Sequence, residues 1–147
     1  MSSKKQHRIF FQGPIPAQKI ADDIQKHAAK TNIGAHSIFL GQVRADELNG
    51  EKVVAIEYTA YELMVEEKMA VIREQFFEKY ALTCMHIYHS LGRVAVGEIC
   101  LFVFTSSAHR RDAIDACSEM VETIKKELPI WGKEICTNQS TVWKQNN

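Results

Sequence analysis

The chain has no C-x-x-C pair, only three prolines and seven glycines, and no excess of either charge, since eighteen Lys and Arg balance eighteen Asp and Glu over 147 residues. Each shortage excludes something. Without a basic excess the chain cannot hold nucleic acid by counterion release, so any anion it binds is met by a local cluster. Cys84, Cys100, Cys117 and Cys136 are too widely spaced for a zinc knuckle or a redox dithiol and read as four free thiols packed as small hydrophobes. No apolar run approaches the roughly 20 residues that cross a bilayer. The polar start MSSKKQHR has no apolar stretch behind its charges, so neither a membrane span nor a signal peptide is expected and the location reads as cytoplasmic. Absence of G-x-S-x-G, P-loop and G-x-G-x-x-G patterns removes the common hydrolase, NTPase and dinucleotide readings.

What is present is 46% hydrophobic sequence without repeats or a Pro/Gly-rich linker, read as one domain over residues 1–147. A short strand at Arg8–Gln12 leads to a helix from about Pro16 with Ile20, Ile24 and Ala28 on one face, ended by Asn32 to Gly34. Gly34–Arg44 and Lys52–Ala60 flank Asn49-Gly50, a pair suited to a tight turn, and read as two antiparallel strands with a flexible tip. Tyr61–Tyr80 sets Val65, Met69, Ile72 and Phe76 on one helical stripe.

Ala81–Ser90 alternates as a strand, Leu91-Gly92-Arg93 and Gly97 mark a connection, and Glu98–Thr105 reads as a buried strand. Ser106 and Ser107 offer capping hydroxyls to a third helix, with Ile114, Cys117, Val121, Ile124 and Leu128 on its stripe until Pro129. Ile130 to Asn147 reads as a short irregular or strand segment. The order predicts an α+β fold, a mostly antiparallel sheet with three main helices.

Chemistry concentrates at Ser106-Ser107-Ala108-His109-Arg110-Arg111. A helix N-terminus already carries positive partial charge, so His and two Arg there suit a phosphate or carboxylate. The structural alternative is that Asp112 and Asp115 neutralise the arginines as surface pairs. Lys125 and Lys126 end the third helix, where the dipole favours cations. The functional alternative is a lysine beside Trp131 that holds an anion or moves a proton. Arg44 ends its strand where a ligand or solvent is equally accessible. His36, His86 and His89 read as packing or surface residues, and no metal site is expected.

Several blocks together resemble the catalytic (large) subunit family of molybdopterin synthase: GAHSIFLGQVR, IEYTAYELM, HSLGRVAVGE, TSSAHRRDAIDA and KKELPIWGKE, in order from about Gly34 to Glu134. The resemblance implies an α/β hammerhead-type fold that forms a homodimer, each copy binding a small ubiquitin-like sulfur-carrier subunit to give a heterotetramer. The carrier's Gly-Gly C-terminus, activated as a thiocarboxylate, would deliver sulfur to cyclic pyranopterin monophosphate and so form the dithiolene of molybdopterin. No cofactor, metal, nucleic acid or membrane enters that scheme.

Carried over residue by residue, the resemblance implies substrate contacts at Gln42, Val43, Arg44, His109, Arg110, Lys125, Gly132, Lys133 and Glu134, with Lys125 and Lys133 as the catalytic lysines. One departure matters. Many family members carry a lysine directly after the Pro-Ile-Trp or Pro-Phe-Trp tripeptide, and here that position is Gly132, with Lys133 next to it. Two other functions fit the residues without the resemblance. One is a non-enzymatic α+β module that binds an anion or a partner's tail. The other is a sulfurtransferase that carries a persulfide on one of its own four cysteines.

Overall fold

The computed structural model describes residues 8–144, so the polar start at residues 1–7 and the last three positions lie outside the described residues. The chain runs β1 (Phe10–Gln12), α1 (Ala17–His27), β2 (Ala35–Gln42), β3 (Glu47–Leu48), β4 (Glu51–Ala60), α2 (Glu62–Lys79), β5 (Leu82–Ala95), β6 (Ile99–Ser107), α3 (Arg110–Glu127), β7 (Ile130–Cys136) and β8 (Thr141–Trp143). Neighbouring strands follow the order β2-β6-β5-β4-β7-β8, with β1 beside β5 and β3 beside β4. Only β1 with β5 pairs in parallel among the described residues. Three helices on a mostly antiparallel open sheet match the expected class.

Period-two alternation decides what each face of the sheet meets. The register sets Ile38 and Leu40 of β2 beside Phe104 and Phe102 of β6, and these beside His86 and Tyr88 of β5. Ile15, just before α1, and Ile20, in its first turn, pack on this face. The opposite face, with Met85, Ile87, Leu101 and Val103, meets the stripes of α2 and α3. Because β6 is covered on both sides it is buried almost throughout, which is why its sequence is a continuous apolar run. Val65, Met69, Ile72 and Phe76 of α2 are all buried, as their spacing predicts, each stabilising the fold by roughly 2 kcal/mol.

Four expectations are corrected. The Asn49-Gly50 turn is real, with φ of 52° and 81°, but it closes the small hairpin of β3 with β4. β2 instead pairs with β6, whose apolar run offers the alternating β2 a buried neighbour. Leu91-Gly92-Arg93 is not a connection, because β5 runs through it to pair Gly92–Ala95 with β4 while its earlier half pairs with β6. Buried Leu91 and Val94 anchor that continuation, so a single strand joins the two halves of the sheet.

On α1 the buried positions are Asp23 and His27, and Ile24 is exposed. Apolar spacing misplaced the face because polar groups there find partners: Lys19 Nζ lies 3.2 Å from Asp23 Oδ1, and His27 Nδ1 is 2.6 Å from the Asp23 carbonyl oxygen. On α3 Ile114 is exposed, while Ala113, Ala116 and Met120 join Cys117, Val121 and Ile124 in the core. The N-cap of α3 is His109, and the capping hydroxyl is one step removed: Ser107 Oγ, at the end of β6, accepts the Ala113 N–H at 3.1 Å.

Candidate functional site

A cavity of about 380 Å³ opens where the ends of β2, β4 and β7 meet the C-terminal half of α3. Each wall has a local reason. Leu128 accepts no further turn before Pro129, so α3 ends with Lys125 in its last turns on the cavity rim. β7 then returns antiparallel to β4, Tyr58 opposite Gly132, and brings the chain back across the floor. A Cβ at Gly132 would lie 2.9 Å from Ile56 Cγ2 and 3.1 Å from Tyr58 Cε1, so glycine is what lets β7 lie this close.

The floor is largely apolar and neutral. Tyr58 and Cys100 line it, and burial pushes both pKa values upward, leaving phenol and thiol protonated. His89 also lines it, with its pKa pushed down to about 4 by burial and, more weakly, by the charge of Lys125, so the imidazole is neutral at pH 7. Cations occupy the rim: Lys125 from α3, Arg44 just past β2, and Lys144 just past β8. Arg44 holds Asp46 through Nε at 2.7 Å and Nη2 at 3.1 Å. That hydrogen bond, more than the nearby charges of Arg44 and Lys144, lowers the Asp46 carboxyl. A water-poor floor beneath converging cations is an arrangement for binding an anionic group and stabilising charge that shifts during reaction.

Of the residues singled out in sequence, the fold brings Gln42, Arg44, Lys125 and Gly132 to this cavity. Val43 is 1% exposed and belongs to the core, its backbone tied to Glu98 and Gly97, so its side chain is not a contact. Lys133 is corrected as well: it sits on the opposite face of β7 from Gly132, with its ammonium 5.2 Å from the centre of the Trp143 ring. Strand alternation forces that outcome on adjacent residues. Glu134 shares the face of Gly132 but lies buried behind the rim, 3.8 Å from Lys144 Nζ.

His109 and Arg110 are exposed at the far end of α3, about 24 Å from Lys125 at 1.5 Å rise per residue. A single copy of the chain therefore does not bring them to the cavity beside Lys125. Nor do Asp112 and Asp115 neutralise the arginines, since no salt bridge joins them among the described residues.

The sequence missed Tyr58, His89, Cys100 and Lys144 as cavity residues. Only the last left a signal, as the lysine ending a short strand-like TVWK segment. All four cysteines are free and buried.

One group among the described residues has metal-ligand chemistry, His27, Cys84 and His86, beneath α1 and away from the cavity. Its atoms already have partners. The two Nε2 atoms lie 3.0 Å apart in a shared hydrogen bond, and Lys30 Nζ donates to Cys84 Sγ at 2.9 Å. Burial first, then the His27 ring, pushes His86 down to about 4, which keeps its imidazole neutral at pH 7.

The family follows from comparison with known proteins. A family model described as MoaE protein matches residues 13–127, most of the chain. The chain belongs to the MoaE family. It is 35% identical over 131 residues to the molybdopterin synthase catalytic subunit of Homo sapiens, spanning 88% of this chain and 69% of that protein. It is 36% identical over 115 residues to the same subunit of Pyrococcus abyssi, spanning 78% of this chain and 76% of that one.

Among solved structures, molybdopterin synthase from Staphylococcus aureus superposes with a TM-score of 0.80 at 32% identity, covering 97% of this chain and 99% of that one. A complex of subunits 1 and 2 of the molybdopterin-converting factor from Helicobacter pylori shares the fold, with a TM-score of 0.79 at 21% identity and coverage of 94% and 90%. The MoaE resemblance read from the sequence blocks is thereby borne out. No described helix is long and apolar enough to cross a membrane.

Proposed function

We propose that this MoaE chain is the catalytic subunit of molybdopterin synthase, transferring sulfur from the C-terminal thiocarboxylate of a small ubiquitin-like carrier to cyclic pyranopterin monophosphate. The observation that supports this most is the cavity itself, a neutral floor of Tyr58, His89 and Cys100 under a rim carrying Lys125, Arg44 and Lys144. The carrier's extended Gly-Gly tail is slim enough to enter beside Lys125, whose ammonium holds the thiocarboxylate. Arg44 releases Asp46 to bind the substrate phosphate.

The thiocarboxylate sulfur then attacks the pterin side chain, the C–O bond of the cyclic ester breaks, and the phosphate oxygen keeps the electron pair. Water cleaves the resulting thioester and frees the carrier with an ordinary carboxylate. A second carrier delivers its sulfur to the neighbouring side-chain carbon, whose oxygen leaves as water, and hydrolysis of that second thioester completes the dithiolene. The chain supplies orientation and charge rather than a covalent nucleophile.

His109 and Arg110 enter this scheme from a second copy. The MoaE homodimer, core of the heterotetramer, sets the N-terminus of one α3 near the other copy's cavity, where its two cations bind the phosphate. The protein works in the cytoplasm with its soluble substrate.

The test is a reconstituted reaction of purified chain, thiocarboxylated carrier and cyclic pyranopterin monophosphate. The expected result is pterin dithiolene, without a persulfide on the chain by mass spectrometry. No product overturns the reading. A persulfide on Cys100, the cysteine on the cavity floor, replaces it with a mechanism in which the chain carries sulfur itself.

A further inference from the structure

Within the reaction proposed above, the β7 position directly after Pro129-Ile130-Trp131 brings no cation to the cavity. β7 presents Ile130, Gly132 and Glu134 on one face, and of these Gly132 brings no side chain. A longer residue there would start 2.9 Å from Ile56. Lys133 cannot substitute, because alternation turns it to the Trp143 side.

β8 supplies what β7 lacks. With Lys133 opposite Trp143 and Glu134 opposite Val142, the register sets Lys144 directly beside Gly132 and on the same face. The Lys144 N–H donates to the Gly132 carbonyl at 2.8 Å and fixes that placement. The side chain lines the cavity with Gly132, Arg44 and Lys125.

Glu134 accounts for why a lysine rests there. Its carboxylate is 7% exposed, and Oε2 has no hydrogen-bond partner. Lys144 Nζ is 3.8 Å from Oε1, near enough to offset a buried charge but too far for a hydrogen bond. The ammonium is thus tethered over the cavity by charge, with its donors free of Glu134 and a flexible stem to move. It also lies on the Arg44 side, where its charge is felt at Asp46.

We propose that Lys144, which follows β8 and lines the cavity, is a substrate-binding residue that holds the phosphoryl group of the pterin substrate together with Arg44. Lys144→Met keeps the stem and removes the charge, and is expected to raise KM for cyclic pyranopterin monophosphate by about tenfold or more while leaving KM for the carrier unchanged. Lys144→Arg restores KM to within about threefold of wild type, because the cation is kept.

If Lys144→Met loses its cooperative melt because Glu134 is left buried without a counter-charge, the Lys144→Met/Glu134→Gln double variant removes both charges and is measured instead. An unchanged KM for the pterin, a rise confined to the carrier, failure of Lys144→Arg to rescue, or a rise on Lys133→Met in place of Lys144→Met each overturns the assignment. A wild-type chain without turnover sinks the sulfur-transfer reading by itself. In that case inorganic phosphate titrated against the Gly132 and Lys144 amide resonances still reads the Lys144 site: shifts lost in Lys144→Met support it, and shifts that persist overturn it.

Discussion

Lys125, in the last turns of α3, stands on the wall of a cavity whose rim also carries Arg44 and Lys144, whereas His109 and Arg110, at the other end of the same helix, stand exposed with no salt bridge among the described residues. The helix dipole explains part of the contrast. It stabilises cations at the C-terminal end and opposes them at the N-terminal end. At one end the cation is favourably placed within a single copy. The other keeps an unfavourable charge arrangement in the isolated chain, which an anion or a second copy relieves.

The sharpest way to break this comparison is Lys125→Ala. Product formation is expected to fall by at least about 100-fold, with the melting temperature and carrier binding kept. Turnover close to wild type would remove Lys125 from the chemistry and leave the cavity end with no special claim.

Next in size is a complementation measurement. A mixed dimer of Lys125→Ala and Arg110→Ala chains has one fully native site if each cavity draws Arg110 from the other copy, and about half the wild-type rate is expected. If each chain served its own cavity, both sites would be defective and the mixture would stay near the level of the parents.

The pH dependence of stability tests the neutral floor. His89 has its pKa pushed down to about 4 against an ordinary 6.5, so the unfolded chain takes up a proton that the folded chain refuses. Its contribution is present above pH 6.5 and is lost as pH falls toward 4, by an amount on the order of 3 kcal/mol. Thermal melts across that interval should show a steep loss that His89→Phe reduces. An unchanged slope in the variant would mean that other groups control acid unfolding.

The smallest effect belongs to a turn far from both ends of α3. Gly50→Ala, at φ of 81°, is expected to cost about 1 kcal/mol in stability without altering KM for either substrate. A changed KM would tie the β3–β4 hairpin to the cavity.

Much of the fold was legible where side-chain period and burial agree, as in the α2 stripe and the apolar run of β6. It failed where local signals served a different partner. Asn49-Gly50 specified a turn correctly but not which strands it joined, because pairing is chosen by the buried face and not by proximity in sequence. On α1 buried His27 and one carboxylate oxygen of buried Asp23 find hydrogen bonds that no hydrophobic pattern records. For the site, Arg44, Lys125 and Gly132 were recognisable from matching blocks. Val43, also in a matching block, packs its side chain in the core just past the end of β2.

Residue types and their order alone determined the class of the fold, the core stripe of α2, the lack of a charge excess, and the MoaE family. Those properties are carried by local spacing and by which groups shun water, and both are written along one dimension. Which face each β7 residue presents, that Lys144 lies beside Gly132, and that the two ends of α3 are kept apart by the helix itself were decided only in three dimensions. Strand register and helix length act between segments distant in sequence, and no short stretch of residues specifies them.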